Sequence, residues 1–211
     1  MVEVARLQAK DAEAFRSLFE RLEQPIIGYL YRLVRDHEVA LDLTQDTFLQ
    51  VYKEIEKTSA DLAVDAWIYR IATNYGLQYL NRQRLHQFVR LSFRPDTSLD
   101  NEIYMYDSMY EERLQAYLPL AGPSVEDQAE MHILIEQALA TLKPEDAVCL
   151  QLHYSNGFTY EQIGKIIGIT PEAVRKRVAR SGEKFRAVYG RSTSSMTREK
   201  SLCVSQKQEK R

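Results

Sequence analysis

The sequence predicts an all-α protein built from two small helical domains that an acidic, flexible linker joins. Apolar residues recur every three or four positions along most of the 211 residues, and no stretch alternates strictly between apolar and polar residues. Residues 92–123 lose this periodicity and carry three prolines and an excess of acids, which is typical of a tether. These observations predict a first domain at 1–91, the linker at 92–123, a second domain at 124–190 and a basic, disordered tail at 191–211.

Four helices are predicted in the first domain. Asp11 is a suitable N-cap for the first helix, and Pro25 suits the first turn of the second. The third helix is predicted from about residue 37 to 55 and the fourth from about 65 to 85 or slightly beyond, with residues 57–64 as the break between them. Short connections between amphipathic helices predict a compact helical bundle.

The helical pattern restarts in the second domain. Ser124 and Asp127 form a pair that resembles a capping box. Pro144 opens a further helix, and the pair Asn156 and Gly157 ends it. The second domain is therefore predicted to be helical from its first residues.

Residues 158–189 carry the pattern of a helix-turn-helix. Thr159 and Gln162 form a capping box, Gly168 ends that helix, and Thr170 caps a second, basic helix. In this arrangement the second helix enters the DNA major groove with its N-terminal residues towards the base edges. A solvated basic face on an ordinary helical hairpin is the alternative. The outward residues, suited to bases or phosphates, are Thr170, Glu172, Ala173, Arg175, Lys176, Arg177 and Arg180.

The composition excludes several classes of protein. The chain has no uncharged apolar run of about 18 residues and no basic-then-apolar N-terminus, so we expect no membrane insertion and no export. Cys149 and Cys203 make neither a disulfide framework nor a metal knuckle, which favours a reducing, cytoplasmic setting. Motifs of hydrolases, metalloproteases and nucleotide-binding enzymes are absent from the sequence. We therefore expect no enzyme, no cofactor and no metal site.

The formal net charge of −2 conceals a segregation of charge along the chain. Residues 92–128 hold eight acids against two bases, whereas residues 158–191 hold eight bases against three acids. A basic C-terminal half of this kind favours a nucleic-acid partner, even though the average charge does not.

Two helices of the first domain carry polar faces of different chemistry. On the third helix, Asp42, Gln45 and Asp46 lie opposite the apolar stripe, which indicates either a docking surface or a solvated face. Catalysis is disfavoured there because no histidine or third carboxylate accompanies them. One side of the fourth helix suits the stacked bases and phosphates of unpaired strands, although a core tryptophan beside solvated arginines explains it equally well. That side comprises Trp67, Arg70, Asn74, Asn81 and Arg84, with Arg82 adjacent.

Three segments together resemble a known family. They are DLTQDTF at 42–48, WIYRIATN at 67–74 and the helix-turn-helix at 158–189. They are similar to the motifs of bacterial RNA polymerase sigma factors of the sigma-70 family, in the small extracytoplasmic-function class (group four). The resemblance implies a promoter-specificity subunit that works within the RNA polymerase holoenzyme and is not itself an enzyme.

The resemblance also implies partners and residue roles. The partners are core RNA polymerase, through its β′ clamp helices and β flap, promoter DNA, and an anti-sigma factor. Asp42, Gln45, Asp46 and Phe48 would bind the clamp helices, with Phe48 supporting the helix from inside, and the acidic linker would lie towards the RNA exit channel. Opening of the minus-ten element and capture of a flipped base would fall to Lys57, Ser59, Asp61, Trp67, Arg70, Asn74, Asn81, Arg82 and Arg84. The minus-thirty-five element would be read by Thr170, Glu172, Ala173, Arg175, Lys176, Arg177 and Arg180.

The alternative interpretation is a stand-alone helix-turn-helix regulator whose first domain senses a ligand or dimerises. Such a regulator normally reads a palindrome as a dimer, and the sequence has no heptad seam for dimerisation. Binding to sigma-free core polymerase distinguishes the two classes of protein.

Overall fold

The computed structural model describes residues 2–59, 63–92 and 125–208, and this part of the chain contains helices and no strand. None of the described helices is both long enough and apolar enough to cross a membrane. The helices are α1 (Val2–Gln8), α2 (Ala12–Val34), α3 (His37–Glu54), a 3-10 helix (Ile55–Lys57), α4 (Val64–Ser92), α5 (Val125–Ala140), α6 (Pro144–Leu150), a π-helix (Gln151–Ser155), α7 (Tyr160–Ile167) and α8 (Pro171–Gln208).

The chain divides into two compact units. Of the described residues, the first unit contains 2–59, 63–87 and 142–184, and the second contains 88–92, 125–141 and 185–208. Residues 93–124 lie outside the described part of the chain, and they include the candidate linker after Ser92 and the predicted cap at Ser124. The candidate functional residues that the structure describes all belong to the first unit.

Helix α2 starts where the sequence predicts and then continues further than predicted. The Asp11 carboxylate accepts hydrogen bonds from the backbone N–H groups of Glu13 (2.9 Å) and Ala14 (3.0 Å), so it is the N-cap. Pro25 lies inside this helix and does not start a new one, so the prediction of two separate helices is wrong. The proline ring is exposed, while Leu22 and Ile26 on either side of it are buried and hold both halves of the helix against the core.

The N-terminal helix α1 was not predicted from the sequence. It has only seven residues, too few for a clear periodic signal. Leu7 is fully buried and Val4 is almost so, and both belong to the core that α2, α3 and α4 share. Tertiary packing therefore stabilises this short helix.

The core of the first unit forms where α2, α3 and α4 meet. Tyr29 and Leu30 of α2, Val51 of α3 and Ile68 of α4 are fully buried in one apolar cluster. The apolar stripe predicted for the third helix is confirmed, since Ala40, Phe48, Val51 and Ile55 are all buried. The third helix therefore turns its opposite, polar face to solvent.

The C-terminal half follows its predicted signals up to the last helix. Pro144 occupies the first turn of α6, and the chain leaves the π-helix at Asn156 and Gly157, whose φ is +72°. The last helix α8 then runs to Gln208, where the sequence predicted a disordered tail from residue 191. Gly190 does not end it, because residues 191–208 contain no proline and consist largely of residues that a helix tolerates.

Candidate docking and nucleic-acid interfaces

The outer face of α3 presents polar side chains around one apolar residue. Asp42, Gln45 and Asp46 are exposed, as the sequence predicts. Leu49 is 55% exposed and follows Gln45 by four positions and Asp46 by three, so it lies on the same face. Sequence reasoning missed Leu49, although its place on the polar face could have revealed it. An exposed leucine ringed by polar groups is typical of a docking surface.

Phe48 lies on the opposite face of α3. Its side chain is 5% exposed and packs edge to face against Phe19 of α2, with ring centroids 4.8 Å apart. Phe48 therefore has no surface for a direct contact with another protein. Its position fits support of the helix from inside.

The segment between α3 and α4 is tied to the helices around it. Lys57 and Ser59 are exposed, while Asp61 lies outside the described residues. The Gln8 side-chain amide donates a hydrogen bond to the carbonyl oxygen of Thr58 at 2.7 Å. The Arg21 guanidinium forms two hydrogen bonds with the Asp65 carboxylate, at 2.8 and 2.9 Å. Thr58 and Asp65 are thus each held by a contact distant in sequence.

The outer face of α4 carries the predicted cationic and amide side chains. Trp67 is half-buried and packs against the core, so only part of its ring surface is available to a base. Tyr69 belongs to the opposite, buried face. The remaining candidate residues of this helix are all exposed: Arg70, Asn74, Asn81, Arg82 and Arg84.

The helix-turn-helix has the predicted caps and turn. The Thr159 hydroxyl accepts a hydrogen bond from the Gln162 N–H (3.2 Å), and the Gln162 side chain accepts one from the Thr159 N–H (2.9 Å), which completes the capping box. Gly168 has φ +74° and ends α7. A Cβ atom at Gly164 would lie 2.6 Å from the carbonyl oxygen of Ile169, so glycine also allows the turn to approach α7.

The start of α8 presents most of the predicted residues, with one exception. Arg177 is only 30% exposed, and its Nε lies 3.6 Å from the Asp146 carboxylate of α6, so it is less accessible than the other candidates and its role stays a prediction. Position 177 borders the buried stripe of Val174, Val178 and Ser181. The other candidates are exposed: Thr170, which also caps α8 through the N–H of Ala173 (3.3 Å), Glu172, Ala173, Arg175, Lys176 and Arg180.

Within the first unit, residues 149–158 contact α2 and α4. The Asn156 side-chain amide donates a hydrogen bond to the Tyr69 hydroxyl at 2.7 Å, and the Phe158 ring packs edge to face against Tyr69 at 5.0 Å. The Arg32 guanidinium donates to the Gln151 side-chain oxygen at 3.2 Å. The Asn156–Tyr69 contact spans 87 positions of the sequence, and the Arg32–Gln151 contact spans 119. No local sequence pattern therefore predicts them.

Burial at this contact changes the acidity of its groups. Burial raises the pKa of Tyr69 to about 12, although the nearby Arg32 charge opposes the shift. Burial also raises the pKa of Tyr29, with the Cys149 thiol among the nearby groups that add to the increase. The pKa of Cys149 itself is raised by burial to about 11. All three groups are therefore uncharged at neutral pH. No cluster suited to a metal ion occurs in the described part of the chain.

Two regions of one family match the chain, each under its own description. Sigma-70 region 2 matches residues 18–86, and Sigma-70, region 4 matches residues 132–184. RNA polymerase sigma-H factor of Pseudomonas aeruginosa is 28% identical over 186 residues, which cover 85% of this chain and 88% of that protein. ECF RNA polymerase sigma factor SigW of Bacillus subtilis is 24% identical over 186 residues, which cover 87% of this chain and 92% of that protein.

Solved structures have the same fold. CnrH, solved in complex with the cytosolic domain of CnrY, aligns with a TM-score of 0.60 at 17% identity and covers 89% of this chain and 94% of its own. The sigma factor RpoE of Bartonella quintana, solved with the anti-sigma factor NepR, aligns with a TM-score of 0.57 at 18% identity and covers 82% of this chain and 95% of its own.

The chain belongs to the sigma-70 family of RNA polymerase sigma factors, in the extracytoplasmic-function class. Its two regions occur in the family order. Region 2 covers most of α2, α3 and α4, and region 4 covers residues 132–184, which include the helix-turn-helix of α7 and α8. The stand-alone regulator is not favoured, because its first domain would have no reason to match region 2.

Proposed function

We propose that this sigma factor divides promoter recognition among three surfaces. The outer face of α3, with Asp42, Gln45, Asp46 and Leu49, docks on the β′ clamp helices of core polymerase. The segment after α3 and the outer face of α4 separate the minus-ten strands and hold a flipped base. The exposed start of α8 reads the minus-thirty-five duplex. What supports this division best is that each surface carries exposed side chains of the matching chemistry.

In this proposal the core-binding and minus-ten surfaces belong to a domain at 1–91 and the minus-thirty-five surface to one at 124–190. The acidic residues 92–123 act as the connector between them. Their charge suits a channel built for nucleic acid, from which nascent RNA then displaces them. The protein works in the cytoplasm as a subunit and catalyses no reaction itself.

An anti-sigma factor is the proposed regulator. Among solved structures of the same fold, the sigma factor RpoE was solved with the anti-sigma factor NepR, and CnrH was solved with the cytosolic domain of CnrY. The exposed Leu49 on the docking face of α3 offers such a partner the same surface that core polymerase would use.

The experiment that tests this function is co-elution of the purified protein with sigma-free core RNA polymerase on a sizing column. A one-to-one complex that starts run-off transcription on genomic fragments is the expected result. Absence of a complex, together with tight binding of the protein alone to duplex DNA, would contradict the proposal.

A further inference from the structure

We infer that Gln8 of α1 is a positioning residue for the minus-ten strand, and that it acts by fixing the chain that carries Lys57 and Ser59. The inference rests on the proposed role of this segment in strand capture. Gln8 lies outside the part of the chain that matches region 2, which begins at residue 18. It is therefore a feature of this chain beyond the matched region.

The first observation is the contact between Gln8 and Thr58. The Gln8 Nε2 donates to the Thr58 carbonyl oxygen at 2.7 Å and lies 3.3 Å from the Thr58 hydroxyl oxygen. That hydroxyl donates in turn to the carbonyl oxygen of Ile55 at 2.6 Å, and Ile55 is fully buried. Thr58 is the first residue after the 3-10 helix and has extended backbone angles. Gln8 therefore fixes the direction in which the chain leaves the core.

The second observation is that α1 is a firm support. Leu7 is fully buried in the shared core, and the Arg6 guanidinium bonds the Asp11 carboxylate (3.1 Å) that caps α2. Just after α1, the Lys10 ammonium lies 3.0 Å from the Glu56 carboxylate and 4.9 Å from the centre of the Tyr52 ring. Helix α1 and the residues that follow it are thus held against α2, Tyr52 of α3 and the 3-10 helix.

The third observation is a second anchor on the far side of the segment. Arg21 of α2 pairs with both oxygens of Asp65, which lies in the first turn of α4 two positions before Trp67. Thr58 and Asp65 are seven positions apart and are each held by a side chain from the N-terminal helices. Thr58 and Asp65 are therefore held in place before DNA arrives, so less entropy is lost at these two positions when a strand binds.

The consequence is a specific effect on binding of the single strand. Without the Gln8 amide, Thr58 keeps its hydrogen bond to Ile55 but loses its contact with α1, so Lys57 and Ser59 are held less firmly in the position that suits the strand. The outer face of α3 should be unaffected, because the Gln8 side chain bonds Thr58, which follows the 3-10 helix, and not a residue of that face. Affinity for a minus-ten single strand should therefore fall while affinity for core polymerase stays constant.

The test uses holoenzyme reconstituted with the full chain and a promoter found by run-off transcription. The probe is a fluorescent single-stranded oligonucleotide with the minus-ten sequence of the non-template strand. Gln8→Leu is expected to weaken its binding about three- to tenfold, the range that loss of one hydrogen bond produces. Gln24→Leu, the same change at an exposed glutamine of α2, is the matched control and should have no effect.

The possible results distinguish an error in the proposed minus-ten function from an error in the role of Gln8. If wild-type holoenzyme does not bind the single strand, the proposed minus-ten function is wrong. If wild type binds and Gln8→Leu binds equally well, the positioning role of Gln8 is wrong. If Gln8→Leu lowers Tm, and also weakens binding to core polymerase by the same factor as binding to the single strand, the role of Gln8 is structural only. Arg21→Gln, on an exposed side chain, repeats the test at the second anchor should Gln8→Leu fail to fold, and an unchanged affinity there would equally reject the two-sided support.

Discussion

Arg175 and Arg177 are two positions apart on α8, yet their side chains have different surroundings. Arg175 is exposed on the face of the helix that the helix-turn-helix turns outward, whereas Arg177 is 30% exposed beside the Asp146 carboxylate. Pairing with Asp146 and partial burial leave less of the Arg177 guanidinium available to DNA than a fully exposed arginine offers. Arg175 is therefore the better candidate for a base contact.

Replacing Arg175 by alanine is expected to remove one element of sequence discrimination. If its guanidinium forks onto a guanine, Arg175→Ala should cost roughly 1–3 kcal/mol at one position of the minus-thirty-five element and relax specificity there. The measurement is holoenzyme binding to a set of duplexes with single base-pair changes. An equal loss on every duplex would instead assign Arg175 to a phosphate, and Arg177→Ala provides the comparison for a paired arginine.

Reversal of the charge at Asp46 is expected to weaken binding to core polymerase. Asp46 is exposed on α3, so Asp46→Arg should leave the free energy of unfolding almost unchanged while it alters the docking face. Titration with core polymerase measures the effect, and Glu20→Arg, at an exposed acid of α2, is the control. Equal core affinity for both variants would remove Asp46 from the docking surface.

At the scale of elements, local signals were predictable and distant ones were not. The capping box of Thr159 and Gln162 and the left-handed Gly168 depend on neighbours within a few positions, so the sequence predicts them correctly. The sequence does not predict Pro25 inside α2, because a proline is tolerated there only through the burial of Leu22 and Ile26 against other helices. Helix α1 and the pairing of Arg177 with Asp146 likewise arise from tertiary contacts, which periodicity does not record.

The turn of the helix-turn-helix depends on the absence of a side chain at Gly164. In Gly164→Ala the new Cβ would meet the Ile169 carbonyl oxygen at 2.6 Å, and a backbone atom has little room to move. We expect a loss of roughly 1–3 kcal/mol in the free energy of unfolding, together with weaker minus-thirty-five binding.

Denaturant unfolding measures this loss, with Gly190→Ala as the control. Gly190 lies within α8, and a Cβ atom added there would meet no neighbouring atom of the described chain within 4 Å. Alanine at this position should therefore be neutral or stabilising by up to about 1 kcal/mol. Equal stability of Gly164→Ala and wild type would show that the turn relaxes at no cost.

At the scale of the whole molecule, region 4 residues contact region 2 within the first unit. Minus-ten and minus-thirty-five elements are about 25 base pairs apart, or about 85 Å along B-DNA at about 3.4 Å per base pair. Asn156 and Tyr69 are joined by a hydrogen bond of 2.7 Å, so this arrangement does not reach both elements at once. We therefore expect the contact to open in the holoenzyme.

The chemistry of the contact makes opening inexpensive. The Gln151 side-chain nitrogen and the Asn156 side-chain oxygen are buried there without a hydrogen-bond partner in the described part of the chain. Buried polar atoms of this kind cost about 1–3 kcal/mol each, which exposure to water recovers. When the contact opens, apolar packing such as that of Tyr69 on Phe158 is lost, and hydration of the two buried polar atoms offsets part of that loss.

Cys149 reports whether opening occurs. Its thiol is fully buried, close enough to Tyr29 of α2 to add to the increase in that group's pKa. Its own pKa of about 11 leaves little thiolate at neutral pH, so alkylation of the free protein should be slow. Binding to core polymerase should accelerate it, as measured by mass spectrometry of the sigma chain in a Cys203→Ser background at pH 7.5. Burial of the neutral thiol stabilises the fold at low pH, and this part of the free energy of unfolding is lost as pH rises from the ordinary thiol pKa of 9.0 to about 11. A pH of 7.5 lies below that range, so the fold itself is not weakened during the measurement.

Asn156→Ala should accelerate alkylation without polymerase, because it removes the hydrogen bond to Tyr69. An alkylation rate that core polymerase leaves unchanged would mean that the contact persists in the holoenzyme.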